Sequence, residues 1–332
     1  MRHTSCSLVW RRIASATLLA VLSLAPSLLC AAPNPIDPYT DDCWWQNLTQ
    51  AQIVGPFDFQ AYVNTETGRP CFDIRRGGRD GEVVFRWTIN RFGEFRLGQP
   101  ANPLHKVPAI PNGADITGRG RPDMIVTQWS GGEHCCFKHY IFELEPELKI
   151  VAQIDDGDGD FAHFADLDGN HRYYYVGKDW TFAFWDASFE DSPAPTVILR
   201  FIDGPHGGAY HLAMDKMEQP EPTPAQWSKA IAAARDAITQ NSGFGDGIGS
   251  ELWSNMLDLI YTGHSELAWK LFDEAWPAQM PDQKPDQKPD KPRFLAGFCS
   301  QLKSSPYWPD LKTTVEDVPP ACDHAKPQPS GQ

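Results

Sequence analysis

Ala114-Asp115-Ile116-Thr117-Gly118-Arg119-Gly120-Arg121-Pro122-Asp123 and Ala165-Asp166-Leu167-Asp168-Gly169-Asn170-His171-Arg172-Tyr173-Tyr174 are two copies of one pattern. Aligned on Asp115 and Asp166, they share the alanine, the aspartate, an aliphatic residue, a glycine and an arginine. Each runs without a gap into a hydrophobic segment that ends at Trp129 or Trp180, so the copies span 114–129 and 165–180. A spacing of about 50 residues is the scale of one propeller blade. Outward from the copies, Val83, Phe85, Trp87 and Ile89 alternate with Val84, Arg86 and Thr88, and Tyr140 to Phe142 and Val197 to Phe201 are short β-branched or aromatic runs. Clusters of Gly, Pro, Asp and Asn separate these runs, which is the signature of short strands joined by tight turns. Residues 32–219 are therefore expected to form an all-β domain, either an irregular propeller-like assembly or a sandwich. With only two copies, a closed propeller of about four blades or more is not expected.

The first copy with its following strand resembles the Asp-x-Asn-x-Asp-Gly-x-x-Asp loops of FG-GAP/VCBS-type repeats, as in integrin α-chain propellers. The neighbouring Trp129-Ser130-Gly131-Gly132-Glu133-His134-Cys135-Cys136 resembles a segment of exported bacterial proteins of unknown function. The resemblance covers roughly residues 110 to 205 and implies β architecture and calcium. Calcium takes several oxygen ligands from a tight turn whose alternate residues face inward. In the first copy Thr117 is a weaker ligand, and Arg119 brings a cation to a ligand position, where a salt bridge can replace the metal. The second copy is better supplied, with Asp166, Asp168 and Asn170, although His171 stands at the glycine position and Tyr174 at that of the closing acid. Upstream, Asp156, Asp158 and Asp160 alternate with glycine. The expected calcium ligands are thus Asp156, Asp158, Asp160, Asp166, Asp168 and Asn170, against the alternative of an acidic hairpin turn.

After Gln219-Pro220-Glu221-Pro222 the apolar period changes to that of a helix. Thr223 can cap, Pro224 suits the first helical position, and Trp227, Ile231, Ala234 and Ile238 share one face. A second helix is expected from Ser250, stopped by Gly263, and a third from Ser265 to Ala275; a last one places Phe294, Phe298 and Leu302 together. The expected organisation is a small α-helical domain of hairpins over 220–280, a Pro-Asp-Gln-Lys linker over 281–292, a final helix within 293–318 and a Pro-rich tail over 319–332. Gly263, Ala268, Phe272 and Ala275 resemble the second half of a tetratricopeptide repeat. One such unit cannot build the stacked surface that these repeats use for binding.

Residues 1–31 combine a basic start (Arg2, Arg11, Arg12), an apolar run from Ile13 to Leu29 and a small-residue end, which reads as a signal peptide. The mature chain is expected to be secreted or periplasmic, with no membrane span after signal cleavage. The chain has a formal net charge of −14, and losing three arginines makes the remainder more acidic. Phosphate repulsion then argues against nucleic acid. Beyond the leader stand Cys43, Cys71, Cys135, Cys136, Cys299 and Cys322. An oxidising compartment favours disulfides, and proximity pairs Cys43 with Cys71 and Cys299 with Cys322. The state of the adjacent Cys135 and Cys136 stays open. His134-Cys135-Cys136-x-x-His139 is not a zinc pattern, because neighbouring residues on a strand point to opposite faces.

No nucleophile elbow, zincin motif or phosphate loop occurs. The function expected from sequence is an exported non-enzymatic binding or structural module, calcium-stabilised, with an extracytoplasmic protein or glycan as partner. The alternative is an exported hydrolase whose site is not recognisable in linear sequence. A pocket with convergent histidines and carboxylates, His163 or His206 among them, would favour the alternative.

Overall fold

The structure is a computed structural model that describes residues 43, 47–132, 136–159, 162–204, 207–239, 248–278 and 290–323. The chain divides into two compact units, Met1–Asn34 and Pro35–Gln332, and every described residue belongs to the second. The expected signal peptide, Asp160, Cys135, His206, most of the 281–292 linker and the end of the tail lie outside the described residues.

Twelve strands form three four-stranded antiparallel sheets, each built from strands consecutive in sequence. The first holds β1 (Asn47–Val54), β2 (Phe57–Val63), β3 (Pro70–Arg76) and β4 (Glu82–Thr88). The second holds β5 (Glu94–Leu97), β6 (Asp123–Trp129), β7 (Phe137–Glu143) and β8 (Lys149–Gly157). The third holds β9 (His163–Ala165), β10 (Tyr174–Lys178), β11 (Thr196–Ile202) and β12 (Ala209–Leu212). The expected all-β N-terminal part followed by helices is therefore observed, as three separate meanders.

The second sheet is apolar on both faces, and the period-2 alternation of its strands sorts the side chains. Met124, Val126, Tyr140 and Phe142 join Phe59, Phe72, Ile74 and Phe85 of the first sheet in one core. Its rings meet edge-on, with Phe85 and Phe142 centroids 5.2 Å apart and those of Trp87 and Tyr140 4.7 Å apart. On the opposite face Ile125, Ile141 and Ile154 pack toward Phe164, Tyr175, Val197 and Leu199 of the third sheet.

That second core continues into helices α1 (Met214–Met217), α2 (Pro224–Thr239), α3 (Glu251–Tyr261), α4 (Ser265–Ala275) and α5 (Lys291–Lys303). Thr223 caps α2 as expected: its backbone N–H donates to Gln226 Oε1 at 2.8 Å, and its hydroxyl accepts from the Gln226 N–H. Trp185 and Trp253 meet edge-on at 5.1 Å, and Phe272 stacks on Phe294 at 5.9 Å. Helix and sheet thus bury their apolar faces against one another. Among the described residues no helix is long and apolar enough to cross a membrane.

Two disulfides join Cys43 to Cys71 and Cys299 to Cys322, with Cα–Cα distances of 5.7 and 5.3 Å, as their spacing led us to expect. Cys136 is disulfide-bonded too.

Candidate functional site

Both repeat loops connect the first strand of a sheet to its second: the Asp115 loop lies between β5 and β6, and the Asp166 loop between β9 and β10. They fold alike. Asp115 accepts the backbone N–H groups of Arg119 and Gly120, at 2.9 and 2.6 Å, and Asp166 accepts those of Asn170 and His171, at 3.0 and 2.9 Å. Gly118 and Gly120 take positive φ, and so do Gly169 and His171. His171, at φ 61°, therefore adopts the left-handed conformation that its glycine counterpart adopts without strain.

The carboxylates that would grip calcium are engaged otherwise. In the first loop the Thr117 hydroxyl donates to Asp123 at 3.0 Å; in the second the Tyr174 hydroxyl donates to Asp168 at 2.7 Å. A hydrogen bond therefore stands where a metal would bridge two acids. Asp168 also pairs with Lys216, and Asn170 Oδ1 accepts from the Arg172 N–H. Arg119 pairs with the buried Glu143. Asp156 is buried beneath the third sheet, Asp158 lies beside it at the end of β8, and Asp160 is not described. Asp156, Asp158, Asp166 and Asp168 do not gather into a metal-holding group among the described residues, where the only such group is Cys43, Cys71 and Asp73. The sulfurs of that group are joined to each other, so it offers no thiolate ligands.

Among the described residues the expected ligands of the loops are engaged by a lysine and by hydroxyl donors rather than drawn together, while Asp160 lies outside the described residues. Thermal unfolding should be unchanged by EDTA and by millimolar Ca²⁺. A rise in Tm with calcium would show that a native-state site has been missed.

Asp123 at the root of the first loop has a second consequence. Burial, opposed by the hydrogen bonds from Thr117, pushes its carboxyl up to about 6 from 3.8. The folded chain binds this proton more tightly than the unfolded one, so the Asp123 contribution favours folding below about pH 4 and is lost as the pH rises through about 6. Comparing Asp123→Asn with the wild type by urea unfolding from pH 4 to 7 should show the variant losing less stability across that window.

The buried carboxylates divide sharply by their partners. Asp73 receives Arg86 Nε and Nη2 at 2.7 and 3.0 Å and Arg75 at 2.9 Å. Glu143 is paired with Arg119, Arg121 and Lys149. Asp179 accepts the Thr181 N–H at 2.8 Å, the Ser305 hydroxyl at 2.5 Å and the hydroxyls of Thr181 and Tyr261. Asp156 is 1 % exposed, and neither of its oxygens has a partner in hydrogen-bond geometry. Buried acids are nearly always satisfied, so an unsatisfied one calls for a reason.

The one side chain within ion-pair distance of Asp156 is an imidazole. His139 Nε2, which also lacks a hydrogen-bond partner, lies 3.7 Å from Asp156 Oδ2, and the other ring nitrogen, Nδ1, is 2.9 Å from the Thr127 hydroxyl. Thr127, His139 and Asp156 sit on adjacent strands β6, β7 and β8 and share the face of Ile125, Ile141 and Ile154, with Thr127 directly opposite His139. The Tyr175 hydroxyl is a donor beside Asp156, close enough to interact with the carboxylate as a weak hydrogen-bond neighbour but outside strict hydrogen-bond geometry. Burial, then the Asp156 charge, raises that hydroxyl well above its ordinary range, so it stays protonated. A Cβ on Gly159 would lie 1.1 Å from Asp156 Oδ2, so only glycine leaves room for the carboxylate.

Thr127 and His139 line a cavity of about 510 Å³ between the sheets, together with Arg96, His105, His163 and Phe164. No carboxylate among the described residues lines it, although the chain as a whole is acidic. Asp156 stands behind His139 and Gly159 rather than in the wall. Of the histidines that the sequence marks out, His163 and His139 reach this cavity, and Cys136 is not among its lining. Thr127 belongs to no motif; its signal is a buried polar residue in phase with Ile125 on the strand face that packs toward the third sheet.

Comparison with known proteins adds no assignment: no family model, curated protein or solved structure matches the chain.

Proposed function

We propose that this chain is an exported binding module, non-enzymatic in its main role, that takes a small, hydroxyl-rich molecule such as a sugar unit of a glycan into the cavity between its second and third sheets. The sheets are read as three blades of an open, propeller-like repeat assembly related to FG-GAP/VCBS repeats, and the disulfides suit a secreted or periplasmic location. The observation that carries the proposal is the pairing of a cavity with buried hydrogen-bonding side chains in its wall, Thr127 and His139. Binding sites are mostly apolar concavities of about 300–1,000 Å³ with a few placed polar groups. This cavity has that size, an aromatic wall at Phe164 and hydrogen-bonding side chains at Thr127 and His139.

The test is a thermal-shift concentration series with glucose, galactose, N-acetylglucosamine and glucuronate, run on the mature chain and on Asn102→Trp, which fills the cavity mouth from an exposed rim position. A concentration-dependent rise in Tm for the wild type, absent in Asn102→Trp, is expected. Equal responses in both proteins, or none with any of these sugars, would remove the cavity reading.

A further inference from the structure

The geometry points to an activity of this same cavity: Thr127, His139 and Asp156 form a hydroxyl–imidazole–carboxylate relay that hydrolyses esters of the small molecules held there. The inference rests on the binding reading, since it takes the cavity as the place where the ester sits.

Three observations support it. The order of groups is that of an activated nucleophile, a hydroxyl hydrogen-bonded to an imidazole whose far nitrogen faces a buried acid. With Nε2 carrying its hydrogen toward Asp156, Nδ1 is left to accept from the Thr127 hydroxyl, at the observed 2.9 Å. The 3.7 Å separation on the acid side is the loose spacing common before substrate is bound. The placement is also right: the hydroxyl and imidazole line the cavity while the carboxylate is shielded from it.

The third observation is the contrast with Asp179. A purely structural Thr127–His139 pair is complete across its two strands and has no use for an acid behind it. Where this fold uses a buried aspartate structurally, at Asp179, it surrounds the carboxylate with hydroxyl and amide donors. Around Asp156 the neighbouring hydroxyl of Tyr175 stands outside strict hydrogen-bond geometry although close enough to feel the carboxylate, and only an imidazole lies within ion-pair distance. Stability left unclaimed in this way is the mark of a site kept for function.

The steps balance as follows. Thr127 Oγ1 attacks the ester carbonyl carbon as its proton passes to His139 Nδ1. The carbon–oxygen bond to the alcohol then breaks, and the alcohol leaves with the proton from Nδ1, giving an acyl ester on Thr127. Water, deprotonated by His139 Nδ1, attacks that ester; the carboxylic acid leaves and Thr127 recovers its proton. Thr127 and His139 are the catalytic residues, and Asp156 is a positioning residue that holds the imidazole tautomer. Arg96 brings positive charge to the cavity in which the oxyanion develops.

The experiment uses the mature chain with its disulfides intact and p-nitrophenyl acetate and butyrate as probes. Hydrolysis above buffer is expected, with Thr127→Val and His139→Gln each slower by at least about 100-fold and Thr127→Ser active. Asp156→Asn should lower kcat with KM unchanged and leave Tm equal or raised, which loss of a structural contact would not do. A fluorophosphonate should label Thr127, located by peptide mass, and should not label the His139→Gln chain. If Thr127→Val or His139→Gln fails to fold, Thr127→Ser and the label decide. A wild-type rate equal to that of a folded Thr127→Val, or an unlabelled Thr127 in the wild type, overturns the relay. If the sugar-induced Tm shift persists in that case, only the catalytic inference falls; if it too is absent, the cavity reading falls with it.

Discussion

Replacing Asp179 by alanine is expected to lower the unfolding free energy by about 4 kcal/mol, since hydrogen bonds to a charged group are each worth about 1.5–3 kcal/mol and several are lost together. Asp179 follows the end of β10 and gathers Thr181, Tyr261 of α3 and Ser305 beyond α5 around one buried carboxylate. Burial, then the charge of Asp179, pushes the Tyr261 hydroxyl well above its ordinary range, so it remains a donor. Without the acid these hydroxyls keep only a long 3.4 Å contact between Tyr261 and Ser305 in an apolar surround. Urea unfolding followed by tryptophan fluorescence measures the loss, and Trp253, fully buried in the joint core, makes the signal sensitive to it. A loss under about 1 kcal/mol would mean that the helices are held on the sheet by apolar packing alone.

Glu143→Ala should cost about 3–5 kcal/mol, the usual result of removing one partner from a buried ion pair. Glu143 has a fully buried side chain at the end of β7, and Arg119 at 2.5 Å, Arg121 at 2.9 Å and Lys149 at 3.2 Å converge on it. Arg119 comes from the first repeat loop and also covers the Phe201 ring. Losing the acid leaves that guanidinium with only the exposed Asp203, at 3.5 Å, as an acidic partner and loosens the loop as well as the sheet. Arg119→Met as a second substitution should recover part of the loss, because the uncompensated charge goes with it. No recovery in the double variant would show that Arg119 is not the charge that suffers. Both substitutions are read by chemical denaturation, with constant m-values showing that the folded state is otherwise kept.

Much of the architecture is legible in the chain because it rests on local periodicity. Alternation at Val83 to Ile89, the apolar runs at 124–126, 140–142 and 197–201, and the three- and four-residue spacing after Thr223 each become the element expected. The cysteine pairs are legible from proximity, and the two repeat loops from their shared residues. What the helices pack against is not, since an amphipathic face shows that it is buried but not by what. The candidate site is hidden for a related reason. Thr127, His139 and Asp156 are distant in sequence and meet only because three strands pair in one register. Asp156 stands out in the sequence for its acidic neighbours, yet its chemistry comes from His139, which the sequence marks out only by the cysteines upstream of it.

The meander order of the sheets also bears on how the chain assembles. Every strand pairs with a neighbour in sequence, so each sheet can zip as soon as its own residues are available, with short loops to close. The first sheet, with its Cys43–Cys71 bond, needs nothing beyond residue 88 for its own ladder. The third sheet differs: its far face and Asp179 wait for residues as late as Ser305. A chain delivered from its N-terminus would therefore hold two sheets in near-final form while the third remains open, and the last helices would act as the clasp that closes the core over the third sheet.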